Sequence, residues 1–220
     1  MRYQLKQYYT VRETNSKQIR IGNMPPRSIV IDDPPEVLSG LLSYLSRPRT
    51  VQEIHQYIKA NSDHTDSECN LIIQDLIENG IISSHQVDLN NRYSRHELYF
   101  DFIGFPNASN AQLILKEKRV GLIGMGGIGS NVAMILTGAG IGSLVILDID
   151  KVEESNLTRQ FLYRESTIGS YKVDVAYEQL KALNSSVHIK KVNNSLTEEN
   201  QQQILYEYFR DCDFVVLSAD

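Results

Sequence analysis

The run Gly124-Met125-Gly126-Gly127-Ile128-Gly129 constrains this chain more than any other feature. It follows an apolar segment, 119–124, of the kind that makes a buried strand, and it opens a stretch with helical spacing, 128–137. Glycines placed this way let a chain turn sharply out of a strand. They also let backbone N–H groups approach a phosphate at the N-terminus of the next helix. Beyond it, apolar segments at 143–148, 188–192 and 214–218 alternate with helical stretches at 172–183 and 196–209. Short buried-type strands separated by helices predict an α/β domain with a doubly wound, mostly parallel, Rossmann-like sheet. Asp148 closes the second of these strands, where a carboxylate can accept from ribose hydroxyls. The glycine turn and Asp148 together point to a bound nucleotide, with a nicotinamide dehydrogenase as the rival reading.

Composition excludes several other classes. The 220 residues carry a formal net charge of −5, with charges of both signs interspersed. Such a surface lacks the clustered Lys and Arg that nucleic acid requires. No apolar run approaches the ~20 residues of a membrane helix, and the opening MRYQLKQYYT lacks the apolar stretch of a secretory signal. No nucleic-acid or membrane partner is expected, and the cytoplasm is the expected compartment. Cys69 and Cys212 stand far apart, so neither a disulfide framework nor a four-thiolate zinc site is expected. Neither cysteine has a basic cluster beside it to activate the thiol, and both read as small semi-buried residues. His55, His64, His85, His96 and His188 show no metal-ligand spacing.

Residues 1–85 read as a small α+β unit. Segments 3–11, 18–22 and 28–32 have strand patterning, with a turn at Asn23-Met24-Pro25-Pro26. Three helices come next. The first begins at Pro34-Pro35, carries Val37, Leu38, Leu41, Leu42 and Leu45 on one face, and stops before Pro48. Thr50-Val51-Gln52-Glu53 and Thr65-Asp66-Ser67-Glu68 are capping boxes for the second and third. Gly80 then ends the third helix, ahead of a short strand at 81–82. Three strands and three helices predict a winged-helix-like arrangement, a shape often used on DNA. The charges oppose that use: the third helix carries Asp66, Glu68, Asp75 and Glu78 and no Lys or Arg. A strand edge beside a helix groove suits an extended peptide better. Residues 86–118 are expected to form a connector, with Arg92-Tyr93-Ser94-Arg95 and a short helix at 111–117.

The residues beyond the second strand of 119–220 separate the nucleotide readings. They run Asp148-Ile149-Asp150-Lys151-Val152-Glu153-Glu154-Ser155-Asn156-Leu157-Thr158-Arg159-Gln160. Further on come Gly169-Ser170-Tyr171-Lys172 and a strand-end Ser218-Ala219-Asp220. Hydride transfer has no need of two cations and a strand-end carboxylate around the nucleotide. Adenylation does, because negative charge builds on phosphate oxygens that are already anionic.

With these residues the chain resembles the ThiF/MoeB/HesA-type, ubiquitin-activating-like adenylyltransferases. The resemblance covers residues 119–220 and implies an ATP-dependent enzyme. It implies that Asp148 binds the ribose and that Asn156, Arg159, Gln160 and Lys172 surround the triphosphate. Gly124, Gly126, Gly127, Gly129 and Asp150 complete the implied nucleotide set, and Asp220 is implied to hold Mg²⁺. Arg92-Tyr93-Ser94-Arg95 matches a motif whose second arginine, here Arg95, reaches the partner's ATP across a homodimer. The implied catalytic set is Arg159, Lys172, Asp220 and Arg95.

The layout of residues 1–85 resembles the leader-peptide-binding domains found at the front of enzymes that modify ribosomally made peptides. With the rest of the chain it is closest to the microcin C type of peptide-adenylating enzyme. A short ribosomal peptide, activated at its C-terminal carboxylate for antibiotic maturation, is the implied substrate. Two alternatives stay open: a MoeB-like activator of a sulfur carrier, and a non-catalytic scaffold that presents a leader peptide. The family pattern continues with further strands, and often a zinc-binding cysteine pair, past the position of Asp220. The sequence is therefore expected to be a piece of a longer fold, with zinc only in such a continuation.

Overall fold

The computed structural model describes residues 1–14, 17–23, 28–105 and 108–219. The chain divides into two compact units, Met1–Pro106 and Asn107–Asp220. The expected turn at Asn23-Met24-Pro25-Pro26 falls largely outside the described residues.

The first unit holds strands β1 (Arg2–Leu5), β2 (Val11–Thr14), β3 (Gln18–Ile21) and β4 (Ile29–Asp32), then helix α1 (Glu36–Tyr44) and the two-residue strand β5 (Arg49–Thr50). Helices α2 (Val51–Asn61) and α3 (Asp66–Glu78), strand β6 (Ile82–Ser83) and helix α4 (Ser94–Phe102) complete it. Two antiparallel sheets result, in the orders β5-β1-β6 and β2-β3-β4. The segment expected as one strand, 3–11, is thus two strands in different sheets. The cause lies between them: Tyr9 N–H bonds back to Lys6 O (2.9 Å). The Gln7 amide exchanges bonds with both backbone groups of Val87 (3.2 and 3.1 Å), and Lys6 pairs with Asp101. Lys6 N–H still bonds Ile81 O, and beyond it the chain turns away before β2 begins.

The core of this unit joins Ile19 and Ile21 to Leu41, Leu42 and Leu45, to Ile54 and Ile58, and to Ile73 and Leu76. Both expected capping boxes are present. In each, the threonine hydroxyl accepts from the N–H of the glutamate three residues on, and the glutamate accepts from the threonine N–H (2.7 Å). Gly80, at φ +63°, lets Ile81 N–H reach Leu76 O and closes α3.

The second unit holds α5 (Ala108–Glu117), β7 (Arg119–Ile123), α6 (Gly129–Ala139), β8 (Ser143–Leu147), α7 (Lys172–Leu183), β9 (His188–Val192), α8 (Gln201–Ile204) and β10 (Phe214–Leu217). The four strands form one sheet, all pairs parallel, in the order β10-β7-β8-β9. Both faces of β8 are covered, while β10 stays largely exposed. Leu144 and Ile146 of β8 join Leu122, Ala133, Val173 and Leu180 on one side. Val145 and Leu147 join Ile123, Val192, Ile204 and Phe209 on the other. That period of two explains why β8 reads as a continuous apolar run. The helix expected over 196–209 is shorter: α8 is a single turn, continued by a π-helical turn over Leu205–Phe209. Strand order reverses at β7, with β8 on one side and β10 on the other, so a crevice opens above their carboxyl ends. Among the described residues no helix is long and apolar enough to cross a membrane.

The capping boxes make a testable prediction. Hydrogen bonds from the Thr50 and Thr65 N–H groups, with their hydroxyls, hold the Glu53 and Glu68 carboxyls below the ordinary range. A depressed carboxylate stabilises the fold fully above its unfolded-state value, near pH 4.3, and loses that effect as pH falls through its folded value. Thr50→Ala and Thr65→Ala should each cost about 1 kcal/mol at neutral pH. Each deficit should narrow on acidification. Urea unfolding of both variants from pH 7 down to about pH 3.5 checks this; a deficit independent of pH would rule out a part for the hydroxyl-to-carboxylate bonds.

Candidate functional site

Where β7 and β8 end, the chain forms an open cleft of about 1050 Å³. Its lip is the glycine turn. Gly124 adopts φ +93°, a conformation that L side chains rarely adopt. A Cβ there would lie 2.7 Å from Ala219 N and 2.8 Å from Ser218 C, so the end of β10 packs directly beneath the turn. Gly129 is equally crowded, since its Cβ would meet Gly124 O and, at 2.7 Å, Ser218 Oγ. The Ser218 hydroxyl in turn donates to Gly124 O at 2.9 Å. Gly126 and Gly127 face the opening instead. The N–H groups of Gly126, Gly127 and Ile128 find no acceptor among the described residues. They sit at the start of α6, where the helix dipole adds partial positive charge. Three such donors suit an anion.

Asp148, only 9% exposed, organises this lip. Its Oδ2 accepts from Met125 N–H and its Oδ1 from Asp150 N–H, each at 2.7 Å. Tyr163 holds the same turn from the other side, donating its hydroxyl to Met125 O at 2.7 Å. Burial pushes the Tyr163 hydroxyl far above its usual range, and the Asp148 and Asp150 charges add to that. It remains a neutral donor at any ordinary pH.

Two cations border the cleft. Lys172, 6% exposed, begins α7, and its Nζ lies 2.9 Å from Asp150 Oδ2. Arg159 is exposed; its stem lies over Gly127, and its Nη1 donates to Ser155 O at 3.0 Å. Asn131, on α6, ties the two sides by donating to Gly127 O (2.6 Å) and Arg159 O (3.4 Å). Asn156 accepts from Glu153 N–H with its Oδ1 at 3.0 Å and so closes the 3-10 turn Glu154–Thr158. Gln160 is 3% exposed, and its Oε1 has no hydrogen-bond partner among the described residues, an acceptor left over inside the cleft wall.

The structure thus gathers Gly124, Gly126, Gly127, Asp148, Asp150, Asn156, Arg159, Gln160 and Lys172 around one cleft. Gly129 does not line it and packs beneath. Arg95 is exposed on α4 of the first unit. Asp220 lies outside the described residues, directly after Ala219, which lines the cleft. Tyr163, Asn131 and Ser218 escaped the sequence reading. The only signal for Asn131 was its place one turn into α6, and Tyr163 lies in an irregular stretch with no periodicity. Among the described residues no three His, Cys, Asp or Glu side chains cluster to hold a metal. Cys212 is not activated, because burial raises its thiol pKa against the opposing pull of Arg119.

Comparison with known proteins identifies the family of the second unit. The family model described as "ThiF family" matches residues 93–220. The adenylyltransferase and sulfurtransferase MOCS3 of Culex quinquefasciatus is 41% identical over 129 residues, 59% of this chain and 27% of that protein. The sulfur carrier protein ThiS adenylyltransferase of Bacillus subtilis is 37% identical over 134 residues, 60% of this chain and 37% of that protein. Among solved structures, E. coli MccB with AMPCPP and MccA superposes with a TM-score of 0.81 at 26% identity. That match covers 100% of this chain and 63% of MccB. The chain therefore spans about a quarter to two-fifths of these curated relatives and less than two thirds of the solved one.

The glycine geometry separates two kinds of variant. Gly124→Ala and Gly129→Ala should abolish nucleotide binding, because backbone atoms block the added methyl. Gly127→Ala, whose methyl would meet only the Arg159 stem at 3.6 Å, should fold normally. Tyr163→Phe should cost about 1–3 kcal/mol by leaving Met125 O buried and unpaired. Urea unfolding measures the last, and an unchanged midpoint would dismiss the Tyr163 clamp.

Proposed function

The chain belongs to the ThiF family, and on that premise we propose that it is an ATP-dependent adenylyltransferase acting on the C-terminal carboxylate of a ribosomally made peptide. The observation that carries the reading is the convergence on one cleft of N–H groups at Gly126–Ile128, without acceptors among the described residues, with the charges of Arg159 and Lys172. The donors suit a phosphate chain, and Asp148 stands where a ribose hydroxyl could add to its carboxylate's remaining lone pairs.

In the reaction a peptide carboxylate oxygen attacks the α-phosphorus. The bond from that phosphorus to the bridging oxygen breaks, and pyrophosphate leaves with the electron pair. No general base is needed, since a C-terminal carboxylate is already ionised near neutral pH. The work of the protein is positioning and charge. Arg159, Lys172 and the N–H groups of the glycine turn hold donors where charge accumulates, at no reorganisation cost during the step. Mg²⁺ accompanying ATP takes most of its ligands from phosphate and water and needs one or two carboxylates. Asp220, next to the cleft-lining Ala219, would supply one, and the ion would add charge neutralisation. Arg95 from a partner copy would complete the site in a homodimer.

The peptide substrate is favoured by a solved relative, MccB with AMPCPP and MccA, whose likeness extends over the whole chain, the first unit included. In this chain residues 1–85 would hold the peptide. The second reading, activation of a sulfur carrier, draws on the 41% and 37% identities to MOCS3 and the ThiS adenylyltransferase. Those identities lie over 59% and 60% of the chain, so they bear less on the first unit.

ATP–pyrophosphate exchange with peptides bearing free or amidated C-termini tests the proposal. Exchange is expected with free carboxylates alone, and Asp220→Ala should abolish it while leaving the fold. Full turnover by that variant, or no exchange from a protein that binds ATP, would overturn the catalytic assignment. Exchange with a sulfur carrier only would select the second reading.

A further inference from the structure

We propose that Asp150 is a positioning residue for Lys172 and not itself a nucleotide ligand. The inference rests on the adenylyltransferase reading.

Lys172 occupies an unfavourable place for a cation. It is the first residue of α7, where the helix dipole repels positive charge, and its side chain is only 7% exposed. A buried ammonium in such a place needs a fixed acceptor. Asp150 Oδ2, at 2.9 Å, is the one it has among the described residues.

The pairing is held by the backbone on both sides. Lys172 N–H donates to Asp150 O at 2.9 Å, and Lys151 bridges to Tyr171 between them. Asp150 N–H donates to Asp148 Oδ1 at 2.7 Å. A continuous chain of bonds therefore runs from the glycine turn through Asp148 and Asp150 to the lysine.

An ammonium has three protons and Asp150 takes one. Two remain for an anion in the cleft that Lys172 lines. Asp150 cannot itself bind the phosphates, because a carboxylate offers them only like charge. Apart from a metal bridge, which measuring ATP binding without Mg²⁺ removes, its effect on a triphosphate passes through the lysine. With the carboxylate gone, the four-carbon stem would lose its anchor and its aim.

The test compares binding of ATP and of adenosine, which lacks the phosphates, by wild-type protein, Asp150→Asn, Asp150→Glu and Lys172→Ala. Asp150→Asn leaves a buried ammonium without its counter-charge and should melt below the wild type, so binding is compared at a temperature where every variant is folded. Asp150→Asn should leave adenosine affinity unchanged and weaken ATP about tenfold, with part of the loss restored in Asp150→Glu. In the Lys172→Ala background Asp150→Asn should change nothing further. Equal loss for ATP and adenosine would make Asp150 a direct ligand and overturn the inference. So would unchanged or tighter ATP binding, or a full additional loss in the Lys172→Ala background. Wild-type protein that binds no ATP would instead sink the adenylyltransferase reading and this inference with it.

Discussion

The cleft depends on a single buried carboxylate. Asp148 accepts the N–H of Met125 with one oxygen and that of Asp150 with the other. Both N–H groups belong to chain that has just left a strand, β7 in one case and β8 in the other, and has no ladder partner there. At 9% exposure the carboxylate itself needs donors, so each partner satisfies the other. One side chain thereby sets the height of the glycine turn against the loop that carries Asp150, Asn156 and Arg159. With Tyr163 occupying Met125 O, Met125 has both polar groups bound. The N–H groups of the three residues after it have no acceptor among the described residues.

Much of this was legible in the sequence because nucleotide chemistry restricts residue type at each place. A turn beneath a phosphate must be glycine, a strand-end ribose acceptor must be acidic, and cations must border the triphosphate. Gly124, Asp148, Arg159 and Lys172 were expected on those grounds and by the family resemblance, and the fold brings them to one cleft. The features that escaped depend on contacts distant in sequence. Ser218 meets Gly124 O and Tyr163 meets Met125 O, and neither pairing leaves a periodicity. Gly129 and Asn156 were singled out, but the fold uses them as spacers and caps: Gly129 makes room for Gly124 O and Ser218 Oγ, and Asn156 closes its own 3-10 turn. In the first unit the capping boxes were legible because both partners lie within one turn. The break in segment 3–11 was not, because Val87, which draws Gln7 away, stands far along the chain.

The first unit divides its chemistry by face. Ile19 and Ile21 of β3 enter the core with α1–α3, while Arg12 and Arg20, opposite one another on β2 and β3, stay exposed. Among the described residues β2 and β4 each pair on one side only. Their outer backbone groups are those an added strand would use, and the acidic face of α3 is compatible with a peptide where it would repel a nucleic acid.

The end of β10 beneath the glycine turn has a consequence for the order in which the protein matures. Ser218 and Gly124 are separated by 94 residues. During synthesis at roughly 5–20 residues per second, the turn leaves the ribosome several seconds before its support is made. Until then Gly124 and Gly129 have nothing to pack on, and the first three strands can pair while the lip above them stays loose. Closure over this distance is the slow, entropically expensive kind of contact. The lip of the cleft is thus completed only once the fourth strand has docked.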